Sequence, residues 1–269
     1  MKRILKKVFL DTISMINITA NKLLDKETLL SLIHKLRPNA IDKELIRFGP
    51  NGDGGYLIPD DVNSIEACFS PGVGLLSGFE EDCSKYGMKV FLADKSVDSP
   101  ASKNPQFNFI KKNIGPITNE DFITLDDWVN SSDLESLDSD LMLQMDIEGY
   151  EYSTILNISN KLMNRFRIVV IEFHSLNRLW DKEFFNIASL VFDKLLQNHS
   201  CVHIHPNNCC GIFKLKGVEI PNVAEFTFVR NDRIEKKKGQ ISVPHSLDFD
   251  CDNNSKTLVL PKQWYISND

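Results

Sequence analysis

The sequence predicts an α/β fold: a doubly wound sheet of about seven strands with helices on both faces. Short, continuous apolar runs alternate with helical stretches over residues 65–229, which is typical of a parallel sheet buried on both sides. A glycine turn, Ser70 to Gly74, directly follows the first apolar run, and a helical stretch follows the turn. This order indicates a βαβ unit at the start of the sheet.

An N-terminal helical extension, residues 1–40, is expected ahead of the sheet. Met1–Asn17 has apolar residues at helical spacing and four basic residues near its start, so we expect a helix packed on its own domain or on a partner chain. The alternative is peripheral contact with an anionic membrane. A second helix is predicted after Asp25, which can cap it, and it ends before Pro38 because proline disfavours helical geometry at the preceding residue.

Residues 41–269 are expected to form one domain, with a C-terminal tail over residues 231–269. The apolar runs predict strands over residues 65–69, 89–93, 107–110, 141–145, 168–172, 202–205 and 225–229. Helices are predicted over residues 77–86, 125–129 and 150–158, and a long helix is predicted after Asp181, which can cap it. Residues 231–239 contain Arg233 and Lys236 to Lys238 and are expected to form a solvated loop.

Composition excludes several classes of protein. The chain has 269 residues with 31 basic and 37 acidic side chains, a net charge of −6, which is unlike a general nucleic-acid binder. It has no uninterrupted apolar run of the roughly 20 residues that span a bilayer. Its six cysteines have no metal-binding spacing, which favours a reducing, cytoplasmic location. Nothing in the sequence indicates an oligomeric state.

The glycine turn is a candidate nucleoside-binding loop, because doubly wound sheets bind ligands beyond the carboxyl ends of their strands. Glycine there allows the backbone to approach a ligand closely. Asp94 ends the next strand, 22 positions after Gly72, and suits an acid that accepts hydrogen bonds from ribose hydroxyls. The alternative is a plain glycine turn with a helix-capping aspartate. The candidate cofactor-binding residues here are Ser70, Pro71, Gly72, Gly74 and Asp94.

The charge around this loop favours S-adenosylmethionine. A dinucleotide site would have a third glycine where Ser77 stands, and the acids at positions 80–82 would repel a pyrophosphate. S-Adenosylmethionine has no phosphate and has a cationic sulfonium, so acidic surroundings suit it. A nicotinamide-dependent oxidoreductase stays an alternative, because it shares the glycine turn and the strand-end acid. A non-catalytic nucleoside-binding or scaffold protein is a third possibility.

Three neighbouring strands are predicted to end in polar side chains at the same edge of the sheet. Asp146 and Glu148 follow one strand, Glu172 and His174 end the next, and His205 ends the third. The alternative is that each of these side chains is only a hydrogen-bonded polar residue at the end of a strand, without a role in catalysis or binding. Transfer of a methyl group to a hydroxyl needs a group that takes the hydroxyl proton, which a histidine or a carboxylate can do. The same residues could instead bind a divalent cation that acidifies the hydroxyl, and no spacing here assigns a metal.

The segment Met145–Glu151, with the sequence MDIEGYE, resembles the signature of FkbM-type S-adenosylmethionine-dependent methyltransferases. The resemblance extends over residues 47–230 and includes GDGGY at residues 52–56, the glycine loop, IEFH at residues 171–174, HIHPNN at residues 203–208 and EFTF at residues 225–228. It implies a class I methyltransferase fold whose seventh strand is antiparallel. It also implies O-methylation, commonly of sugars in surface glycans or of natural products.

The resemblance also implies roles for particular residues. Gly72, Gly74 and Asp94 would bind the cofactor, with Asp146 and Glu148 beside it. From their positions we further infer catalytic roles for Asp146, His174 and His205. The expected acceptor is a carbohydrate or another small molecule, and the basic N-terminal segment makes a membrane-associated substrate attractive.

Overall fold

The structure is a computed structural model, and it describes residues 21–237, 239 and 241–266. Met1–Asn17, for which the sequence predicts a helix, lies outside the described residues, so its packing or membrane contact stays a prediction. Within the described part of the chain, no helix has the length and apolar character needed to cross a bilayer.

Seven strands form the central sheet. They are β1 (Ala67–Pro71), β2 (Lys89–Ala93), β3 (Phe107–Ile110), β4 (Leu141–Met145), β5 (Phe166–Phe173), β6 (His199–Pro206) and β7 (Ala224–Arg230). Their spatial order is β6-β7-β5-β4-β1-β2-β3, and all neighbours are parallel except β7, which is antiparallel to β5 and β6. The predicted α/β fold of about seven strands is confirmed, as is the antiparallel seventh strand that the resemblance implies.

The helices are α1 (Lys26–Lys35), α2 (Gly78–Lys85), α3 (Leu125–Ser131), α4 (Glu151–Asn157), α5 (Asn160–Met163) and α6 (Lys182–Asn198). The predicted helices begin within one residue of the predicted starts, whereas the short helix α5 was not predicted. Both predicted caps are present: the Asp25 side chain accepts from the Thr28 amide, and the Asp181 side chain accepts from the Glu183 amide. Each cap satisfies one of the amides that a helix start leaves without an internal partner.

Several predicted strand limits are wrong, and the reasons are physical. β1 runs two residues later than predicted because Ser70 and Pro71 pair with Leu92 and Ala93 of β2. β5 begins two residues earlier than predicted. Arg167, a charged residue just before the apolar run, is buried in the strand because it forms an ion pair with Asp140 at 2.7 Å. β6 starts at His199, whose Nε2 lies 2.7 Å from the Phe166 carbonyl oxygen.

Three small sheets outside the central one are absent from the sequence-based predictions. Leu45–Phe48 pairs with Tyr56–Pro59, Ile212–Leu215 pairs with Val218–Pro221, and Asn113–Ile114 pairs with Phe122–Ile123. The first pair matters most for function, because its loop, residues 49–55, lies at the carboxyl edge of the central sheet. Arg47 fixes this loop by donating to the Pro50 and Gly52 carbonyl oxygens at 2.7 and 2.8 Å.

The two ends of the described chain pack on one core. Leu29, Ile33 and Leu36 are fully buried together with Trp264, which lies in a 3₁₀ turn near the end of the tail. The Trp264 indole donates to the Glu219 carbonyl oxygen at 3.0 Å. Residues 231–239, predicted to form a solvated loop, are held to the domain by an ion pair between Arg233 and Asp61 at 2.8 Å. All six cysteines are free thiols.

We expect Trp264→Ala to lower the free energy of unfolding by roughly 3–5 kcal/mol, because it leaves a large cavity between α1 and the tail. Val259→Ala in the same tail is the control: Val259 is 50% exposed, so its truncation should change stability by less than about 0.5 kcal/mol. Urea unfolding followed by circular dichroism measures both. Equal effects of the two substitutions would show that the tail is not part of the cooperative core.

Candidate functional site

The candidate site lies beyond the carboxyl ends of β1 and β4, where the strand order reverses and doubly wound sheets bind ligands. Gly72 follows β1 with a φ of +88°, and a Cβ built on it would lie 1.5 Å from the carbonyl oxygen of Asp146. The Asp146 amide also donates to the Pro71 carbonyl oxygen at 3.2 Å. The absence of a side chain at Gly72 therefore lets the two strand ends meet.

Asp94, which follows β2, holds the glycine loop. Its Oδ2 accepts from the Val73 amide at 3.1 Å, and its Oδ1 accepts from the amide and hydroxyl of Ser96, both at 2.7 Å. A carboxylate has about four acceptor positions, so one remains for a ligand in the adjacent cavity. The ribose-binding role of Asp94 stays a prediction that this geometry permits.

Two cavities meet at this edge, and Gly72 and Asp146 line both. The first has a volume of about 250 Å³, and its other lining residues include Asp94, Asn113, Ile114, Ile147, Glu148 and Tyr150. The second has a volume of about 410 Å³, and its other lining residues include Asp53, Tyr56, Gly74, Leu75, Glu80 and Gln144. Each cavity has both apolar or aromatic and acidic lining residues, and we call the two cavities together the groove.

Ser70 and Pro71 line neither cavity. The Ser70 hydroxyl is fully buried, lies 2.6 Å from Gln144 Oε1 and also contacts the Glu80 carboxylate. Gln144 in turn donates to the Tyr56 hydroxyl at 3.3 Å. Ser70 thus holds two residues of the cavity wall in place, and the predicted contact of Ser70 and Pro71 with a cofactor stays a prediction.

His174 follows β5, and both of its ring nitrogens face carboxylates. Its Nε2 lies 3.3 Å from Glu148 Oε2, 3.6 Å from Glu172 Oε1 and 3.9 Å from Asp146 Oδ1. The structure therefore brings together four polar residues that the sequence placed at the ends of two strands. We call Asp146, Glu148, Glu172 and His174 the acidic cluster.

Glu151 is a site residue that the sequence reasoning did not single out, although it ends the MDIEGYE motif. It is fully buried, and its Oε1 accepts from His174 Nδ1 and the Gly149 amide, both at 3.0 Å, and from the Ile147 amide at 3.3 Å. These bonds orient the imidazole and hold the loop in which Glu148 adopts a left-handed φ of +55°.

Burial and neighbouring charges shift the pKa values of Asp146, Glu172 and His174. Burial, together with the Glu172 carboxylate, raises the pKa of Asp146 to about 8. Burial raises the pKa of Glu172 to about 7, although His174 opposes the rise. Burial alone would lower the pKa of His174, but the hydrogen bond and charge of Glu151 raise it to about 9. Such a cluster favours a positive charge placed next to it.

His205 lines neither cavity. The prediction that its strand neighbours the strand of Glu172 is wrong, because the antiparallel β7 lies between β5 and β6, and the C-terminal segment covers the imidazole. Its Nε2 lies 3.1 Å from the Phe249 carbonyl oxygen and its Nδ1 lies 3.5 Å from Asp248 Oδ2. Asp248 also binds His203 at 2.9 Å, and these two histidines hold the pKa of Asp248 well below its usual range although its burial acts the other way. The catalytic role inferred for His205 stays a prediction, and its structural contact is to the tail.

Comparison with known proteins identifies the family. A family model described as the methyltransferase FkbM domain matches residues 56–199, more than half of the chain. The chain belongs to the FkbM methyltransferase family. The matched range contains β1 to β5, the glycine loop, Asp94, Glu151 and every residue of the acidic cluster. The family that the sequence motifs indicated is therefore confirmed.

Solved structures that resemble this one include two at low similarity. One is a mutant of the 16S rRNA (adenine(1408)-N(1))-methyltransferase from Catenulisporales acidiphilia, with 9% identity, a TM-score of 0.30, and coverage of 71% of this chain and 99% of that chain. The other comes from work on the conversion of a disulfide bond into a thioacetal group during echinomycin biosynthesis, with 12% identity, a TM-score of 0.29 and coverage of 62% and 77%. No curated protein matches the chain.

Membership of this family makes the protein an S-adenosylmethionine-dependent methyltransferase with a class I methyltransferase fold. The groove fits that cofactor. Ile114, Ile147 and Tyr150 offer apolar surface for a purine near the free acceptor position of Asp94, and carboxylates line the junction where a sulfonium would lie. Glu80, only 5% exposed, lines the second cavity near the start of α2, so a pyrophosphate there would meet a carboxylate.

Gly72→Ala should destabilise the protein by about 1–3 kcal/mol more than Gly74→Ala, because the new methyl group forces the β1 and β4 ends apart. Gly74 is a matched control, since its φ of +50° is also left-handed but a Cβ there would meet open space. Thermal unfolding of both variants compares the effects. A Gly74→Ala variant as unstable as Gly72→Ala would contradict the role assigned to the close approach.

Glu151→Gln should lower the pKa of His174 from about 9 toward the ordinary value near 6.5. Glutamine keeps an oxygen for the hydrogen bonds but removes the charge. The raised pKa stabilises the folded state fully below pH 6.5, and this contribution is lost as the pH rises through about 9. NMR titration of the His174 ring in chelator-treated protein measures the change. An unchanged midpoint would remove Glu151 as the cause.

Proposed function

We propose that this methyltransferase transfers the methyl group of S-adenosylmethionine to a hydroxyl of a sugar, in a surface glycan or its precursor. One observation supports this most directly: a groove suited to a nucleoside is lined by Asp146 and Glu148, two of the three carboxylates that surround His174 Nε2. The groove suits the methyl donor, and the cluster suits an acceptor whose hydroxyl must lose a proton.

The polar character of the acceptor side favours a polyhydroxylated molecule. Glu172 accepts from the Asn207 amide group at 3.1 Å, and this buried contact connects the ends of β5 and β6 across β7. Glu225 lies opposite Glu172 in the ladder, and burial with the Glu172 charge raises its pKa. Carboxylate oxygens accept hydrogen bonds from sugar hydroxyls, whereas they repel phosphates. These three residues line neither cavity, so they favour a carbohydrate over a nucleic acid where the acceptor lies beside Glu172 and His174.

The contribution of the chain to the reaction is position and proton transfer. Bound S-adenosylmethionine supplies an electrophilic methyl group, so that the acceptor oxygen gains an O–C bond as the S–C bond breaks. The Gly72–Asp146 junction fixes where the donor lies relative to the cluster, and such alignment is worth several orders of magnitude in rate. The proton of the acceptor hydroxyl passes to the carboxylate of Glu172 or Asp146, whose pKa values of about 7 and about 8 lie near neutral pH.

Location and partners stay predictions. A cytoplasmic location, peripheral membrane contact through residues 1–17 and a membrane-associated glycan precursor are consistent with one another. None of them is needed for the transfer itself.

Incubation with methyl-labelled S-adenosylmethionine and a panel of sugars, nucleotide sugars and glycan extracts tests the proposal. We expect label in a methyl ether of a carbohydrate, identified by mass spectrometry. His174→Ala should keep cofactor binding, seen as a rise in Tm of roughly 5–10 °C at saturating cofactor, but should transfer slowly. Label that enters only protein or nucleic acid would overturn the carbohydrate assignment.

A further inference from the structure

We propose that Asp146, Glu148 and His174 form a binding site for a hard divalent cation, Mg²⁺ or Mn²⁺, at the junction of the two cavities. Each residue offers one ligand atom, and the three atoms all lie within 4.8 Å of one another. We take them to be Asp146 Oδ1, Glu148 Oε2 and His174 Nε2, because these atoms contact one another across the imidazole nitrogen. The site as a cation-binding site is independent of the acceptor. Its role in binding the acceptor hydroxyl rests on the proposed function.

The separations of the ligand atoms suit one central ion. His174 Nε2 lies 3.3 Å from Glu148 Oε2 and 3.9 Å from Asp146 Oδ1. Neighbouring ligands of an octahedral ion with bonds of about 2.1 Å lie roughly 3 Å apart, so atoms separated by at most 4.8 Å need to approach by no more than about 2 Å to share one ion. Oxygen ligands with one imidazole suit Mg²⁺ or Mn²⁺, with water and the acceptor in the remaining positions.

The contacts of His174 Nε2 argue for a cation rather than for an imidazole proton. Three carboxylates converge on this nitrogen, at 3.3, 3.6 and 3.9 Å. A single N–H can donate one good hydrogen bond, and the Asp146 oxygen is beyond that distance. Asp146 Oδ1 is buried and has no hydrogen-bond partner. A divalent ion would satisfy several of these oxygens at once, which one proton cannot do.

The other side of the imidazole has the partner that metal-binding histidines usually have. Nδ1 donates to the fully buried Glu151 at 3.0 Å, which leaves Nε2 as the ligand nitrogen. A carboxylate in this position fixes the ring and strengthens it as a ligand. Glu151 also bonds the amides of Ile147 and Gly149, so it positions Glu148 as well.

An ion can reach the site from solvent. The Glu148 side chain is 84% exposed and lines the first cavity, whereas the Asp146 and His174 side chains are mostly buried. Two ligands are therefore held by the strands and the third can close over the ion. A cation here would lie beside the methyl donor and could bind the oxygen of the acceptor hydroxyl.

Titration of the full-length, chelator-stripped protein with Mn²⁺ alone tests the site, with free Mn²⁺ measured by electron paramagnetic resonance. We expect one strong binding site. Glu148→Gln and His174→Gln should weaken binding at least about tenfold, and Glu151→Gln, which removes only the supporting carboxylate, should weaken it by about 10–100-fold. Asp53→Asn is the control, because it removes one exposed charge from the same groove and should leave the site intact.

No strong Mn²⁺ binding, or equal binding by wild type and Glu148→Gln, would overturn the cation site. An Asp53→Asn variant as weak as Glu148→Gln would also overturn it, because the groove would then attract Mn²⁺ by general charge alone. Calorimetry with S-adenosylmethionine on the same stripped protein separates the two proposals. Cofactor binding without Mn²⁺ binding would remove only the cation site, whereas failure to bind the cofactor would remove the proposed function.

Discussion

The close approach of Gly72 to the Asp146 carbonyl is the constraint on which the site depends. It holds the ends of β1 and β4 together at the switch point of the sheet, so the loop after each strand must turn away in opposite directions. The two cavities are the spaces left by those two loops, and they meet at this contact. Asp94 is attached to the loop after β1 through the Val73 amide, and Glu148 lies in the loop after β4.

The acidic cluster lowers the stability of the folded state, and it lies at the carboxyl edge of the sheet, where the ligand-binding groove is. A buried carboxylate without a compensating partner costs several kcal/mol, and the shifted pKa values of Asp146 and Glu172 reflect this strain. Glu151 offsets part of the cost through three hydrogen bonds, yet its Oε2 has no partner. A fold optimised for stability alone would place apolar residues here, so the cluster marks the functional end of the sheet.

The apolar runs in the sequence were enough to predict the central sheet. The site was predicted only in part, because some of its contacts join residues that are far apart in the sequence. The limits of β2, β3 and β4 are as predicted because each is a continuous apolar run. The hairpin around residues 49–55 was missed because its strands are short and its loop is rich in glycine. Strand-end position brought the acidic cluster together, but no local signal shows that His205 pairs with residues more than 40 positions later. Glu151 was visible in the motif, and only the fold reveals its contact with His174.

The range matched by the family model ends at residue 199, the first residue of β6. The two last strands and the segment that covers His203 and His205 therefore lie beyond the shared part. Because that segment is held mainly by side-chain contacts to residues 203–208, it can change in sequence without disturbing the Gly72–Asp146 junction. A change in the segment over His203 and His205 would therefore leave the methyl-donor half of the molecule in place.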